Sequence, residues 1–161
     1  SPLCYFGALY NIYDAIIKSN DDSNNSETQE FIKKYEWIGT LSQFNTHYFQ
    51  ARYKDELGCV VIMNMPNAFS KLLGEETPKL ERLISRGASA SWTPKNLASS
   101  FLSWCIKWMV QNTEYRLFSA YSDVQAKEMG TIYQALNFYC NIRLLVLIYH
   151  PNIYKMYQFL L

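Results

Sequence analysis

The stretch KLERLISRGASASWTPKNLASSF, residues 79–101, decides how the chain folds, because it passes from a strand pattern to a helix pattern through small residues. KLERLISR reads as a strand, with Leu80 and Arg82 facing one way and Glu81 and Leu83 the other. GASASWTPKN reads as a loop. The helix that follows, LASSFLSWCIKWMVQN, sets Leu97, Phe101, Trp104, Cys105 and Trp108 along one apolar stripe. Thr93 before Pro94 is the usual order of cap and first-turn proline. A helix start behind Gly, Ala and Ser offers free backbone N–H groups and the positive end of the helix dipole, which suits a phosphate or pyrophosphate. Lys95, Ser99 and Ser100 add donors. The plain alternative is a capped helix after an ordinary loop.

Downstream, YRLFSAYSD reads as another strand, GTIYQALNF as a second well-marked helix and IRLLVLIY as a last strand. Upstream, HYFQARYKDELGCVVIMNM is a hairpin whose two apolar runs flank the charged turn KDELG, and Pro66 ends it. NAFSKLLGEETP is a polar excursion. Before the hairpin, SETQEFIKKYEWI places Phe31, Ile32, Tyr35 and Ile38 at helical spacing behind a capping box of Ser26 and Gln29. DDSNNSETQE has no apolar anchor, so residues 20–29 are expected to form a mobile loop. NIYDAIIKSN reads as a short helix or a strand–helix transition. Strands alternating with single helices imply β-α-β crossovers and a partly parallel sheet. No internal repeat is visible.

With 161 residues, 49% of them hydrophobic, the chain buries one ordinary core, and a single domain over residues 1–161 is expected. A net charge of +1 argues against strongly electrostatic nucleic-acid binding, although a local basic patch fits within a balanced total. No apolar run approaches the ~20 residues that cross a bilayer, and the opening residues lack a signal-peptide pattern. The chain begins with Ser1 rather than Met, as a trimmed or partial product would. Cys4, Cys59, Cys105 and Cys140 are scattered, with no C-x-x-C pair, which points to a reducing, cytoplasmic setting. Cys59 and Cys105 sit in apolar runs and read as small hydrophobes. Neither His47 nor His150 lies near a cysteine pair, so no metal site is expected. Thirteen tyrosines are an excess, part of it core and part available to line a cleft.

If RLFSAYSD runs parallel to KLERLISR, both strands end at one sheet edge, where open α/β sheets collect ligands. Tyr133 then lies one helical turn beyond that edge. Its phenol, with an ordinary pKa near 10, can protonate a leaving thiolate. Asp123 marks the other side of the gap. Taken singly, Tyr133 reads equally as a packed core tyrosine and Asp123 as a turn cap.

In the words EWIGTLSQF, YKDELGCVVIMNMP, KLERLISRGASASWTPKNLASSF and YSDVQAKEMGTIYQALNFY, the chain resembles the acyl-CoA-dependent N-acetyltransferases known as GNAT. More specifically, WTPKN with YSD and GTIYQA resembles the phage DNA-modification branch, the Mom-like proteins. The resemblance covers roughly residues 36–139. It implies an α/β (α+β) domain whose mixed central sheet has splayed parallel strands flanked by helices. It implies acetyl-CoA or a related acyl-CoA as cofactor, and anti-restriction modification of the exocyclic amine of adenine in DNA. Asp123, with Ser122 beside it, and Tyr133 then take the catalytic positions. Ile84, Ser85, Arg86, Pro94, Lys95, Asn96, Ala98 and Ser99 take the cofactor positions. Glu36, Trp37, His47, Tyr48, Arg82 and Tyr121 are candidates for the acceptor, since chemistry on a base requires extrusion and stacking of the target. Each has a structural alternative: Trp37 as a cap on the core, His47 beside Tyr48 as a packed histidine. The chain departs from the family in two places. The loop R/Q-x-x-G-x-G/A is replaced by the longer RGASASWTPKN, and residues 141–161 form a divergent C-terminal segment. A transferase for a protein or small-molecule amine, and a non-catalytic phage interaction protein on the same scaffold, remain the alternatives.

Overall fold

The computed structural model describes residues 4–5, 11–17, 23–36, 39, 45–66, 77–121, 131–141 and 144–148. In chain order these form β1 (Cys4–Tyr5), β2 (Asn11–Ile17), α1 (Ser23–Tyr35), β3 (Asn45–Tyr53), β4 (Glu56–Asn64), α2 (Thr77–Leu80), β5 (Glu81–Ser89), α3 (Leu97–Asn112), β6 (Leu117–Tyr121), α4 (Thr131–Gln134), β7 (Tyr139–Asn141) and β8 (Leu144–Ile148). One mixed sheet of order β1-β2-β3-β4-β5-β6-β8-β7 joins the strands, and only β5 and β6 run parallel. The expected β-α-β crossover is therefore present, carried by α3.

Each sheet face has its own helix, and the apolar alternation along the strands decides which residues meet it. Phe49, Ala51, Cys59, Val61, Met63, Ile84, Phe118 and Ala120 pack with Leu97, Phe101, Leu102, Trp104, Cys105, Ile106 and Met109 of α3. On the opposite face Tyr48, Val60, Ile62, Ala88 and Ala90 meet Phe31 and Ile32 of α1. Cys59 and Cys105 are buried free thiols inside the first cluster, and desolvation pushes the Cys59 thiol up to about 12. They are core residues, as read from the sequence.

Several boundaries differ from expectation, each for a physical reason. The hairpin turn is only Lys54 and Asp55, both left-handed at φ 51 and 66, as a two-residue type I′ turn requires. Gly58 belongs to β4: its missing side chain lets the later loop close in, since a Cβ there would sit 2.7 Å from the Thr93 methyl. Helix α1 starts at Ser23, so residues 23–29 are helical rather than a loop, and Ser26 lies inside the helix instead of capping it. That first stretch is anchored by polar contacts: Gln50 donates to the buried Thr28 hydroxyl at 2.9 Å, and Arg52 pairs with Glu27 at 2.6 Å. NIYDAII is strand β2 throughout. Strand β5 starts at Glu81, after the short turn of α2, and runs on through Ser89, which shortens the small-residue loop. The GTIYQALNF helix ends after Gln134, and Asn137, left-handed at φ 61, turns the chain into β7.

Candidate functional site

The parallel pair of β5 and β6 is joined through α3. Residues Glu81 to Ile84 of β5 are in register with Leu117 to Ala120 of β6, and the pairing stops there. Beyond Ile84, β5 stays bonded to β4 as far as Ser89, while Tyr121 of β6 pairs with Leu144 of β8. Among the described residues, which end on β6 at Tyr121, the β5–β6 ladder thus covers four pairs. A bulge helps to aim β5: β4 partners jump from Ile62↔Arg86 to Met63↔Ile84, leaving Ser85 as the extra residue, its hydroxyl donating to the Ile62 carbonyl at 3.2 Å. A bulge of this kind bends a strand and redirects its side chains. Ile84 consequently points into the α3-side core, whereas Arg86 points to the other face and pairs with Glu36 at the end of α1, at 3.4 Å.

The loop after β5 is tied down before α3 begins. Ala90 N–H donates to the Gly58 carbonyl at 2.9 Å, and the Thr93 hydroxyl donates to the Ala90 carbonyl at 2.7 Å. Thr93 and Pro94 therefore form a turn ahead of the helix rather than its cap and first residue. Asn96 occupies the cap position without a side-chain cap bond. Leu97 N–H bonds the Pro94 carbonyl and Ser100 N–H that of Asn96. The first-turn N–H groups of a helix have no partner within it. Those of Ala98 and Ser99 meet no acceptor among the described residues. Pro94, Lys95 and Asn96 are exposed beside them. Free N–H groups at the positive end of a helix dipole, with a lysine close by in sequence, favour an anion.

The expected acceptor residues divide between the two faces. Glu36 and Arg86 lie on the α1 side with Tyr48, which is buried among Val60, Ile62 and Phe31 and serves the core. His47 and Arg82 lie on the α3 side. His47 bonds the Thr46 hydroxyl at 2.8 Å and sits among Phe49, Trp108 and Tyr115. Its burial, and then the charge of Arg82, lower its pKa to about 4, so it is neutral near pH 7. The Arg82 guanidinium stacks 3.6 Å above the Tyr115 ring and also donates to the Tyr115 hydroxyl and the Glu81 carbonyl. This geometry makes His47 and Arg82 an aromatic-lined packing cluster away from Glu36. Tyr121 is 51% exposed at the end of β6.

Tyr133 is half-buried in α4 and packs with Ile132 and Leu136 against the α3-side core. Its ring lies 5.2 Å from that of Phe138, and its carbonyl accepts from the Phe138 N–H at 3.0 Å. Trp37, Ser122 and Asp123 lie outside the described residues. What sequence reading missed is a buried polar row on the α1 side, Asn45, Asn64, Ser119 and Glu81, in which the Ser119 hydroxyl donates to Glu81 at 2.6 Å. Asn64 ends an apolar run and Glu81 sits among charged neighbours, so only strand register reveals them as neighbours.

No helix among the described residues is long and apolar enough to cross a membrane. No curated protein matches the chain at the sequence level. Solved structures do match. The ribosomal-protein-S5-alanine acetyltransferase from Vibrio fischeri is similar at 13% identity and a TM-score of 0.59, over 91% of this chain and 97% of that one. The yncA acetyltransferase from Salmonella typhimurium, solved with its cofactor acetyl-CoA, gives 8% identity and a TM-score of 0.61 over 87% and 95%. A GNAT-family acetyltransferase from Streptococcus pneumoniae gives 10% and 0.59 over 86% and 99%. The fold is that of the GNAT acetyltransferases. Residues 24–156 match the Mom protein family.

Proposed function

Since the chain belongs to the Mom protein family and has the GNAT acetyltransferase fold, we propose that it is an acyl-CoA-dependent transferase that modifies the exocyclic amine of adenine in DNA. The observation that carries this reading is the parallel β5–β6 pair, whose ladder ends at Ile84↔Ala120 among the described residues, joined through α3 with its unbonded first-turn N–H groups. An opening between parallel strand ends accommodates a thioester arm, and the helix start receives its pyrophosphate.

In this reading the residues fit acetyl-CoA, or a related acyl-CoA, in two places. The N–H groups of Ala98 and Ser99, with Lys95 nearby, hold the pyrophosphate. The backbone of Ile84, Ser85 and Arg86, redirected by the bulge, lines the arm. The cofactor supplies an electrophilic acyl carbon and a thiolate leaving group. With acyl-CoA bound, Asp123, beside Ser122, would orient the amine and accept its proton, and the Tyr133 phenol would serve as proton donor on the thiolate side. Holding the amine and thioester in line supplies much of the acceleration, because a positioned pair avoids the entropy of encounter. Tyr121 at the end of β6 and the Glu36–Arg86 pair on the α1 side face the acceptor.

Mass spectrometry of nucleosides from DNA of cells expressing the protein tests the reading. A mass-shifted adenine nucleoside is expected, and it should fall tenfold or more in Tyr133→Phe and Asp123→Ala with acyl-CoA binding retained. Unmodified DNA together with acetyl-CoA binding in calorimetry would move the acceptor to a protein or small-molecule amine. Absence of acyl-CoA binding would leave a non-catalytic scaffold.

A further inference from the structure

On the sheet face that carries α1, one cross-strand row holds three polar residues, Asn45, Asn64 and Ser119, with Leu83 between the last two. Register places Asn45 of β3 opposite Asn64 of β4, Asn64 opposite Leu83 of β5, and Leu83 beside Ser119 of β6. Asn64 alternates with Ile62 and Val60, both packed against the α1 cluster, which fixes the face. Glu81, two residues before Leu83, points the same way and accepts the Ser119 hydroxyl at 2.6 Å. Asn45 and Asn64 are only 3% and 8% exposed.

These amides carry unmet hydrogen-bonding capacity. Neither Nδ2 nor Oδ1 of Asn45, nor Oδ1 of Asn64, has a partner among the described residues. Burying a carboxamide without partners is costly, and buried polar groups are otherwise nearly always bonded. Half the face, under α1, is apolar, so an apolar row here would have continued an existing core. The row also lies one register step before Ile84↔Ala120, the last β5–β6 pair among the described residues. Unpaired buried amides level with the end of the parallel ladder have the character of a ligand site.

Resting on the reading of adenine as acceptor, we infer that Asn45 and Asn64 form the floor of the acceptor subsite and recognise the adenine edge. A carboxamide presents an acceptor and a donor side by side. Adenine presents the complement, an exocyclic N–H beside a ring nitrogen, whereas guanine offers two acceptors at the corresponding major-groove edge. Asn45 Oδ1 accepts from the exocyclic amine while Nδ2 donates to the ring nitrogen, and Asn64 Oδ1 supplies a second acceptor. This orients the base without taking part in bond making, so both asparagines are positioning residues.

Asn45→Leu and Asn64→Leu remove the amides while keeping the branching and the number of side-chain heavy atoms. Two measurements test them: thermal unfolding, and fluorescence-anisotropy titration of single-stranded oligonucleotides carrying one dA, or dG in its place, in a thymidine tract. Both variants should melt at or above the wild-type temperature, by about 2 °C or more if the full desolvation cost is relieved. Each should bind the dA strand at least tenfold more weakly, with acetyl-CoA affinity unchanged. Wild-type preference for dA that persists in both variants overturns this inference alone. A fall of several degrees in Tm in both variants also overturns it, because the amides would then have structural partners. If the wild-type protein shows no preference for dA, the adenine reading itself falls, and this subsite with it.

Discussion

His47 is a titratable residue held largely out of water among aromatic rings. In the unfolded chain its imidazole titrates near 6.5; in the fold, burial and the Arg82 charge lower this to about 4. Phe49, Trp108 and Tyr115 face it from β3, α3 and the following loop, and Thr46 bonds its Nδ1. Because the folded pKa is the lower one, protonation favours the unfolded chain. The stabilisation is complete above pH 6.5 and is lost as pH falls towards 4. Thermal unfolding between pH 7.5 and 4.5 should show a smaller decline for His47→Gln than for wild type, and equal declines would contradict the assignment. Gly58 is the second informative residue. Gly58→Ala should cost about 1–3 kcal/mol, since its methyl group would displace Thr93 and with it the turn leading into α3. Adding Thr93→Ser, which deletes the clashing methyl, should restore most of the loss in denaturant titrations.

At the scale of elements, the hairpin was legible and its turn chemistry was not. Two apolar runs flanking KDELG mark β3 and β4, but the glycine in that stretch is spent on loop packing, so a lysine and an aspartate adopt the left-handed turn. Each non-glycine residue there costs on the order of 1 kcal/mol. Replacing Lys54 and Asp55 by Asn and Gly should raise stability by about 1 kcal/mol and Tm by about 2–4 °C, measured by calorimetry. Helix α3 was readable from its stripe because it buries Leu97, Phe101, Trp104 and Cys105 at helical spacing. The start of α1 was not readable, because its inward residue is Thr28, held by Gln50 from a strand distant in sequence. A polar group satisfied across such a distance leaves no local signature.

For the molecule as a whole, ligand binding and stability are linked, since the proposed cofactor bridges the parallel strands and the start of α3. A ligand at 100 times its dissociation constant adds about 2.7 kcal/mol to the folded state. For a chain of this size that is a rise of roughly 5–10 °C in Tm. Acetyl-CoA should produce such a shift in differential scanning fluorimetry, and CoA lacking its pyrophosphate should not. An identical response to both would remove the α3 N-terminus from the cofactor site.

The hairpin, the strand–helix–strand order from KLERLISR to RLFSAYSD and the acyltransferase resemblance were present in the amino-acid sequence, because periodicity and turn residues act locally. Tertiary structure alone decided which face each side chain serves. One extra residue at Ser85 sends Ile84 to the α3 core and Arg86 to Glu36, and the register of β3 and β4 seats Tyr48 in the core and His47 beside Arg82. It also aligned Asn45, Asn64 and Ser119 into one row from three strands. Side-chain direction in a sheet reverses with every residue, so a single bulge, silent in the sequence pattern, determines which residues share a site.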